Sequence, residues 1–303
     1  MVLENRDGTL FSLVYGCCIS QSVDPIEKKP LYHFHPGSAS FSLATVGCNF
    51  QCKHCQNHSI SQLPREQKKI MGDHVSPHKI VEAAKFYNCT SIAYTYTEPT
   101  IYYEYAYDIA VLAHEAKIAN IFVTNGYTAP EALRHIQPYL DGANVDLKSF
   151  SDEFYQKICG ARLQPVLESL RLYKELGIWL EITTLIIPGY NDSDEELKKI
   201  ADFICSLGVE IPWHISAYYP TYRLTDQPRT SVQTLRRARQ IGLEAGLRYV
   251  YEGNIPGEKG ENTYCYSCGS LLIERSGFSI SQQKVKESMC PACGAKIDGI
   301  GLS

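Results

Sequence analysis

Three closely spaced cysteines, Cys48, Cys52 and Cys55, form a Cys-x3-Cys-x2-Cys run at the end of the apolar stretch Phe41–Val46. Three thiolates are one short of the four that close an ordinary zinc or iron–sulfur site. A metal centre held this way keeps one position free for a ligand, and a free position is what chemistry at a metal needs. Buried packing is a poor account of these thiols, because the same loop carries Asn49, Gln51, Lys53, His54 and Gln56. A closed zinc knuckle would have to recruit His54 or His58 as its fourth ligand. The ligand arithmetic favours an open iron–sulfur centre.

A second set has a different pattern. Cys265 and Cys268 form one Cys-x2-Cys knuckle followed by Gly269, and Cys290 and Cys293 form another followed by Gly294. Four thiolates close a site, so a structural ion is expected, with zinc the default and iron of the rubredoxin type the alternative. The 21 residues between the knuckles slightly exceed the usual spacing, and extra hairpin residues would absorb them. So short a segment barely forms a core, and the metal would supply its folding energy. A fold staple is the simpler role for it; substrate or partner recognition is the sharper one.

The triplet needs elements to position it. Strand candidates are Phe41–Val46, Ser91–Tyr96, Ile121–Thr124, Asn144–Leu147, Trp179–Ile187, Trp213–Ala217 and Arg248–Tyr251. Helical patterns lie between them. One starts at Ser76-Pro77, an N-cap followed by proline. Another runs through Tyr102–Ala119, and a third starts at Ser193, where Glu196 completes a capping box. Repeated strand–helix units imply a parallel sheet closed into a full or partial β/α barrel. Function then sits at the carboxyl ends of the strands. The polar clusters follow that rule: the cysteine loop, Thr97-Glu98-Pro99, Asn125-Gly126, Asp146 with Lys148, Pro188-Gly189, and His214 on the sixth strand. The expected organisation is an extension over 1–40 packed on the barrel, an α/β barrel of the partial (β/α)6 type over 41–253, and a linker with a four-cysteine zinc-ribbon or rubredoxin-like module over 254–303.

Composition narrows the class. The chain has 303 residues, 44% hydrophobic, with a formal net charge of −4. That balance argues against bulk electrostatic binding to nucleic acid. No apolar run approaches the ~20 residues of a membrane span, and the charged start lacks a signal-peptide pattern. Twelve cysteines in so long a chain, seven of them in metal-ligand clusters, fit a reducing cytoplasmic compartment rather than a disulfide framework. Cys89, Cys159 and Cys205 lie in or beside apolar helical segments and read as inert packing. The 21 tyrosines read as packing rather than a radical relay. His33 and His35 stand among proline and aromatics, and suggest docking of the N-terminal segment rather than a metal site.

With these residues in view, the cysteine loop with His54 in the aromatic slot and Gln56-Asn57 after it resembles the radical S-adenosylmethionine (SAM) superfamily. Within that superfamily the loop looks like the activases of glycyl-radical enzymes. The runs Asp24–Phe34, Tyr94–Thr100 and Gly257–Cys265 are similar to the AmmeMemoRadiSam group. The resemblance implies a 4Fe-4S cluster on Cys48, Cys52 and Cys55 and a SAM molecule at its open iron. It also implies reductive cleavage to a 5′-deoxyadenosyl radical and hydrogen abstraction from a substrate that is not readable. The protein's share is positioning and exclusion of water.

Carried over by position, Thr97-Glu98-Pro99 stands where the superfamily often has Gly-Gly-Glu, with Glu98 facing the SAM ammonium. Asp146-Leu147-Lys148 matches an Asp-x-Lys, with Lys148 meeting the SAM carboxylate; the plain alternative is a strand-end ion pair. Asn125 would line the same pocket and His214 would contact the ribose or adenine, although a strand histidine is often simply packed. The acid that commonly precedes Thr-Asn-Gly in glycyl-radical activases, where it helps a monovalent cation, is Val123 here. Implied partners are a reductant such as flavodoxin or ferredoxin, together with Memo-type and AMMECR-type pathway proteins. A second expectation is an activase that installs a glycyl radical on a partner protein. A third, of another class, is a non-catalytic iron–sulfur or zinc-ribbon binding module.

Overall fold

The computed structural model describes residues 2–255, 257 and 259–302. A hairpin of β1 (Leu3–Arg6) and β2 (Thr9–Ser12) precedes the long β3 (Cys17–Pro25). The parallel strands are β4 (Ala39–Thr45), β6 (Ser91–Tyr94), β7 (Ala119–Thr124), β8 (Gly142–Asp146), β9 (Trp179–Ile186), β10 (Trp213–Ala217) and β11 (Val250–Gly253). They pair in that order, each beside its predecessor, and β4 and β11 remain unpaired with each other. The result is an open, one-way wound α/β barrel sheet, as the strand–helix rhythm implied. The N-terminal segment does more than pack on the barrel. Strand β3 pairs antiparallel with β4 from Cys18 to Pro25, and β5 (Asp73–His74) pairs with the outer edge of β3.

The short helices α1 (His58–Ser61) and α2 (Leu63–Glu66) follow the cysteine loop. The outer layer is α3 (Pro77–Phe86), α4 (Tyr103–Glu115), α5 (Pro130–Ile136), α6 (Asp152–Phe154), α7 (Leu163–Glu175), α8 (Asp194–Leu207) and α9 (Val232–Glu244). Helix α8 shows why such segments fold. The Ser193 hydroxyl caps Glu196 N, three acids fill the first turn, and Leu197, Ile200, Ala201 and Ile204 recur on the buried face. The expected capping box is only half formed. The Glu196 carboxylate turns away from the cap and accepts from Phe150 N at 2.6 Å and from the Ser149 hydroxyl. A buried pair of donors in the loop after β8 outcompetes one solvent-exposed N–H.

Residues 26–35 plug the barrel interior. Ile26, Leu31 and Phe34 pack against Ala93 of β6 and Ile121 of β7. Gly142 leaves room for the Phe34 ring, since a Cβ there would lie 3.1 Å from it. The plug backbone is received by the side chains of the strands: Tyr32 N and His33 N donate to Glu181, and Asn144 Nδ2 donates to Pro30 O at 2.7 Å. His33 is buried, with Nε2 against the Tyr251 hydroxyl and Nδ1 against Asp298 O. The His33 ring thus docks this segment.

The C-terminal ribbon comprises β12 (Thr263–Tyr264), β13 (Leu271–Ser276) and β14 (Ser279–Gln283), an antiparallel sheet. Its core is shared with the barrel, because Tyr32, Tyr249 and Tyr251 pack with Leu272, Ile273, Val285 and Ile297. Arg275 of β13 donates to Tyr32 O at 2.9 Å and stacks over the Tyr32 ring at 4.2 Å. No described helix is long and apolar enough to cross a membrane.

The plug yields a stability prediction. Phe34→Ala removes a fully buried ring from a cluster with Ile26, Leu31, Ala93 and Ile121, the last two held in place by the sheet. Anaerobic chemical denaturation should show a loss of about 3–5 kcal/mol. Phe86→Ala, at a ring 78% exposed, should change stability by less than about 0.5 kcal/mol.

Candidate active site

The loop after β4 turns at Gly47, whose φ of +106° belongs to the left-handed region. A Cβ there would stand 2.8 Å from Val2 and 3.0 Å from Ile101, so the chain can reverse at this point only without a side chain. The loop is then held on several sides. Gln51 N donates to Cys159 O at 2.8 Å and Lys53 N to Ile158 O at 2.9 Å. Gln62 Nε2 and the Arg65 guanidinium both donate to Phe50 O. Phe50 is itself buried against Tyr127 and Tyr155. Cys52 and His54 turn inward while Gln51 and Lys53 face solvent.

Cys48, Cys52 and Cys55 line one large cavity of about 1090 Å³. Phe50 N donates to Cys48 Sγ at 3.4 Å, and Cys55 Sγ lies 3.2 Å from the Ser61 hydroxyl. Burial, reinforced by the Glu98 carboxylate, pushes the Cys48 thiol up, and burial also pushes up Cys55. Cys52 is raised by a hydrogen bond with the Cys159 thiol and by burial. Without a metal these thiols stay protonated, so loading iron here releases protons. Cys159, which no spacing signal ties to the loop, is fully buried beside Cys52 but does not line the cavity.

The strand ends supply the other walls. Thr97, Glu98, Asn125, Asp146, Lys148, His54 and His214 all line the same cavity. Glu98 is buried, and both of its oxygens are occupied. Oε1 accepts from Thr124 Oγ1 at 2.7 Å and from Thr100 N and Oγ1, while Oε2 accepts from Asn125 N at 2.8 Å. Burial nevertheless leaves its carboxyl above the ordinary range. Thr97 Oγ1 donates to Thr45 O at 2.9 Å, which ties this turn to β4. Asn125 Nδ2 donates to Asn49 Oδ1 at 2.7 Å, and so joins the end of β7 to the cysteine loop.

Lys148 Nζ meets Asp146 Oδ2 at 2.7 Å. Burial works against this ammonium, yet the charge beside it, led by the Asp146 carboxylate, outweighs burial and raises its pKa. The strand-end ion pair and a place in the cavity wall are therefore both present. The loop carrying Lys148 is fixed by Asn191 Nδ2 donating to Lys148 O at 2.7 Å and by Lys148 N donating to the Tyr155 hydroxyl. His54 is buried and neutral, lowered to about 3 by burial and by Lys148, and its Nδ1 has no partner. His214 points its Nε2 at Glu181, 2.7 Å away, which leaves only the rest of the ring for the cavity.

The donor set fits an open iron–sulfur cluster and SAM. Among the described residues, three thiols from one loop face a cavity, no fourth thiol lines it, and a buried histidine nitrogen there lacks a partner. Among the described residues, the four cysteines of the ribbon are the group whose ligand atoms all lie within 4.8 Å of one another, as a single ion needs. In that second group Cys265 and Cys293 sulfurs are 3.7 Å apart, as are those of Cys268 and Cys290. A tetrahedron with Zn–S bonds of about 2.3 Å has edges of about 3.8 Å. The two knuckles match: Gly269 N donates to Cys265 O at 2.8 Å, Gly294 N to Cys290 O at 2.9 Å, and both glycines have φ +74°. This group can bind a metal ion.

The fold-staple role understates the ribbon. Glu261, Asn262 and residues 274–278 form one wall of the cavity, beside plug residues Glu27 to Pro30. Neither the plug's nor the ribbon's place in the site was legible from spacing.

The family model of the radical SAM superfamily matches residues 42–204. An uncharacterized protein of Methanocaldococcus jannaschii is 49% identical over 97% of this chain and 88% of its own length. The pyruvate formate-lyase-activating enzyme of Clostridium pasteurianum is 23% identical over 68% of this chain and 89% of its own. Among solved structures, a radical SAM methyltransferase from Sphaerobacter thermophilus shares the fold with a TM-score of 0.56, at 18% identity over 78% of this chain and 71% of its own.

Separate metal sites make a measurable prediction. Elemental analysis of the anaerobically reconstituted protein should find about four iron atoms on the triplet. Cys52→Ala should lose that iron and keep the ion of the ribbon, and Cys290→Ser should do the reverse. Loss of both metals from either variant would contradict the assignment.

Proposed function

The chain belongs to the radical SAM superfamily, and we propose that it acts there as an enzyme of the AmmeMemoRadiSam group on a substrate enclosed by the barrel, plug and ribbon. It is a relative of glycyl-radical activating enzymes. The carrying observation is that Cys48, Cys52 and Cys55 open onto a cavity whose other walls are charged and polar strand ends. The three cysteines would hold a 4Fe-4S cluster. The bound groups supply one-electron cleavage of SAM and the hydrogen abstraction that follows.

The chain's own residues do the positioning. Lys148, oriented by Asp146, would take the SAM carboxylate. Glu98, with one lone pair of Oε2 still open, would take the ammonium, and Asn125 would brace the cysteine loop against that end. His54 and His214 would border the nucleoside. The plug and the ribbon wall would keep water from the reacting carbon. A cavity of about 1090 Å³ lies at the top of the range for ligand pockets, roughly 300–1,000 Å³. It would hold the cluster and SAM with a small substrate beside them.

The ribbon ion would be zinc, which four thiolates in a tetrahedron favour. Memo-type and AMMECR-type proteins would be pathway partners, and flavodoxin or ferredoxin the reductant. Likeness to activating enzymes supports a second reading, in which the substrate is a glycyl-radical protein. The wall built by the ribbon favours a smaller molecule.

The test is anaerobic reconstitution with reductant and SAM, followed by quantitation of 5′-deoxyadenosine. Wild type should form it, and the Cys48→Ala, Cys52→Ala and Cys55→Ala variants should fall to background. Product formation independent of all three cysteines would end the proposal. Deuterium appearing in 5′-deoxyadenosine from a labelled candidate would identify the substrate.

A further inference from the structure

The turn that leads into the plug holds more positive charge than a fold contact needs. Asp24 lies at the end of β3, and a single tight helical turn over Ile26–Lys28 brings the next two lysines back onto it. Lys28 Nζ meets Asp24 Oδ1 at 2.8 Å, and Lys29 Nζ meets Oδ2 at 2.6 Å. One carboxylate therefore answers two ammoniums, and the Tyr96 hydroxyl donates to the same carboxylate. A staple between plug and barrel needs only one such pair.

Nothing else nearby balances the second cation. Lys29 is fully buried, with its ammonium 4.5 Å from the centre of the Tyr96 ring. Among the described residues neither ammonium has a second acceptor. The other acids of this wall are bound elsewhere. Glu27 Oε1 accepts from Gly37 N at 2.9 Å and lies 3.7 Å from Arg275 Nε. Glu261 Oε2 accepts from Gly277 N and Glu274 Oε2 from the Ser281 hydroxyl, each at 3.1 Å. Burial, helped by the Lys28 charge, pulls the Lys29 ammonium down to about 8 against the hold of Asp24. A buried cation whose charge is only partly answered is where an incoming anion gains most.

The place is part of the site. Lys28, Lys29 and Tyr96 line the same cavity as the triplet. Tyr96 O accepts from Asn57, two residues beyond Cys55, and Glu98 follows two residues after Tyr96. SAM has one carboxylate, and Lys148 is in place for it on the far side of the cavity wall, at the end of β8. The plug lysines are left for a second molecule.

We propose, on the open-cluster reading above, that Lys28 and Lys29 receive an anionic group of the substrate, a carboxylate or a phosphate. Lys29 seats the group, and Lys28, whose side chain is 41% exposed, meets it from the solvent side. Asp24 and Tyr96 are positioning residues that hold the two ammoniums at the wall. A few fixed polar groups of this kind set the orientation of a ligand in a pocket.

The experiment is equilibrium dialysis of the anaerobic holoenzyme saturated with SAM, which keeps Lys148 occupied. The probes are radiolabelled inorganic phosphate and radiolabelled succinate. Wild type should retain one equivalent of at least one of them, and the better retained probe names the group as phosphate or carboxylate. Lys29→Met should weaken that retention by about tenfold or more, the loss expected for a charge-assisted hydrogen bond. Lys28→Gln should give a smaller loss in the same direction. Iron and SAM content of the same samples should match wild type in both variants, which separates a lost anion site from a lost fold. If Lys29→Met does not fold, Lys28→Gln decides alone, because its side chain is partly in solvent. Retention of neither probe, or retention that the folded variants leave unchanged, overturns the anion site. Wild-type protein that holds no iron on the triplet, or no SAM, overturns the open-cluster reading instead.

Discussion

Glu181 is fully buried in the barrel and accepts four hydrogen bonds, from Tyr32 N at 3.0 Å, His33 N at 2.8 Å, Trp179 Nε1 at 3.0 Å and His214 Nε2 at 2.7 Å. Burial alone would protonate it, but the His214 donor leads a set of contacts that hold its carboxyl below the ordinary range. A carboxylate stripped of such partners in this setting would cost several kcal/mol. The barrel and the plug therefore form together or not at all in this region. From the plug the constraint passes outward: Tyr32 O receives Arg275 of the ribbon, and the His33 ring donates through Nδ1 to Asp298 O and accepts at Nε2 from the Tyr251 hydroxyl. The cavity floor, the ribbon wall and the orientation of His214 all follow from one buried charge.

The same carboxylate marks where sequence reading stops. The triplet was legible because its ligands share one loop and local spacing fixes their distances. The strand order and the polar strand ends were legible because the period of the chain and the barrel rule are also local properties. His214 was legible as a strand residue, yet its partner is a glutamate on the neighbouring strand, and cross-strand register is set only by the fold. Cys159 and Ile158, whose carbonyls hold the cysteine loop, lie far along the chain and carry no spacing signal. Glu196 fitted the capping pattern, and the pattern was correct about Ser193. It could not show that Ser149 and Phe150 would arrive as better donors.

The two cysteine sites show how one ligand chemistry yields opposite outcomes. In the ribbon, each pair of thiols is presented by a knuckle whose glycine takes the left-handed turn, and the four sulfurs close on a volume the size of one ion. Four thiolates leave no open coordination position, so an ion bound there would stabilise the fold. In the barrel the ligands come from one irregular loop, and the surrounding hydrogen bonds pull the loop backbone toward residues 158–159 and 223 rather than toward a common centre. The three thiols line one cavity. The closed site then contributes to the open one, because the hairpin it anchors carries Arg275 and residues 276–278 into the cavity wall.

The turn before Glu98 shows how tightly the N-terminal segment and the site depend on each other. Tyr96 sits at φ +63°, a conformation that costs a non-glycine residue about 1–2 kcal/mol. Its hydroxyl donates to Asp24, which also binds Lys28 at 2.8 Å and the buried Lys29 at 2.6 Å. Its carbonyl accepts from Asn57, just beyond the cysteine loop, at 2.7 Å. A glycine would relieve the backbone and lose both the phenol and the packing of the Lys29 ammonium over the ring at 4.5 Å. Asp24 would then hold two cations with one fewer donor to share the work, and the plug would lose its grip on the turn that presents Glu98. The strain at Tyr96 persists because the contacts it secures join the plug, the cysteine loop and the β6 end in one place.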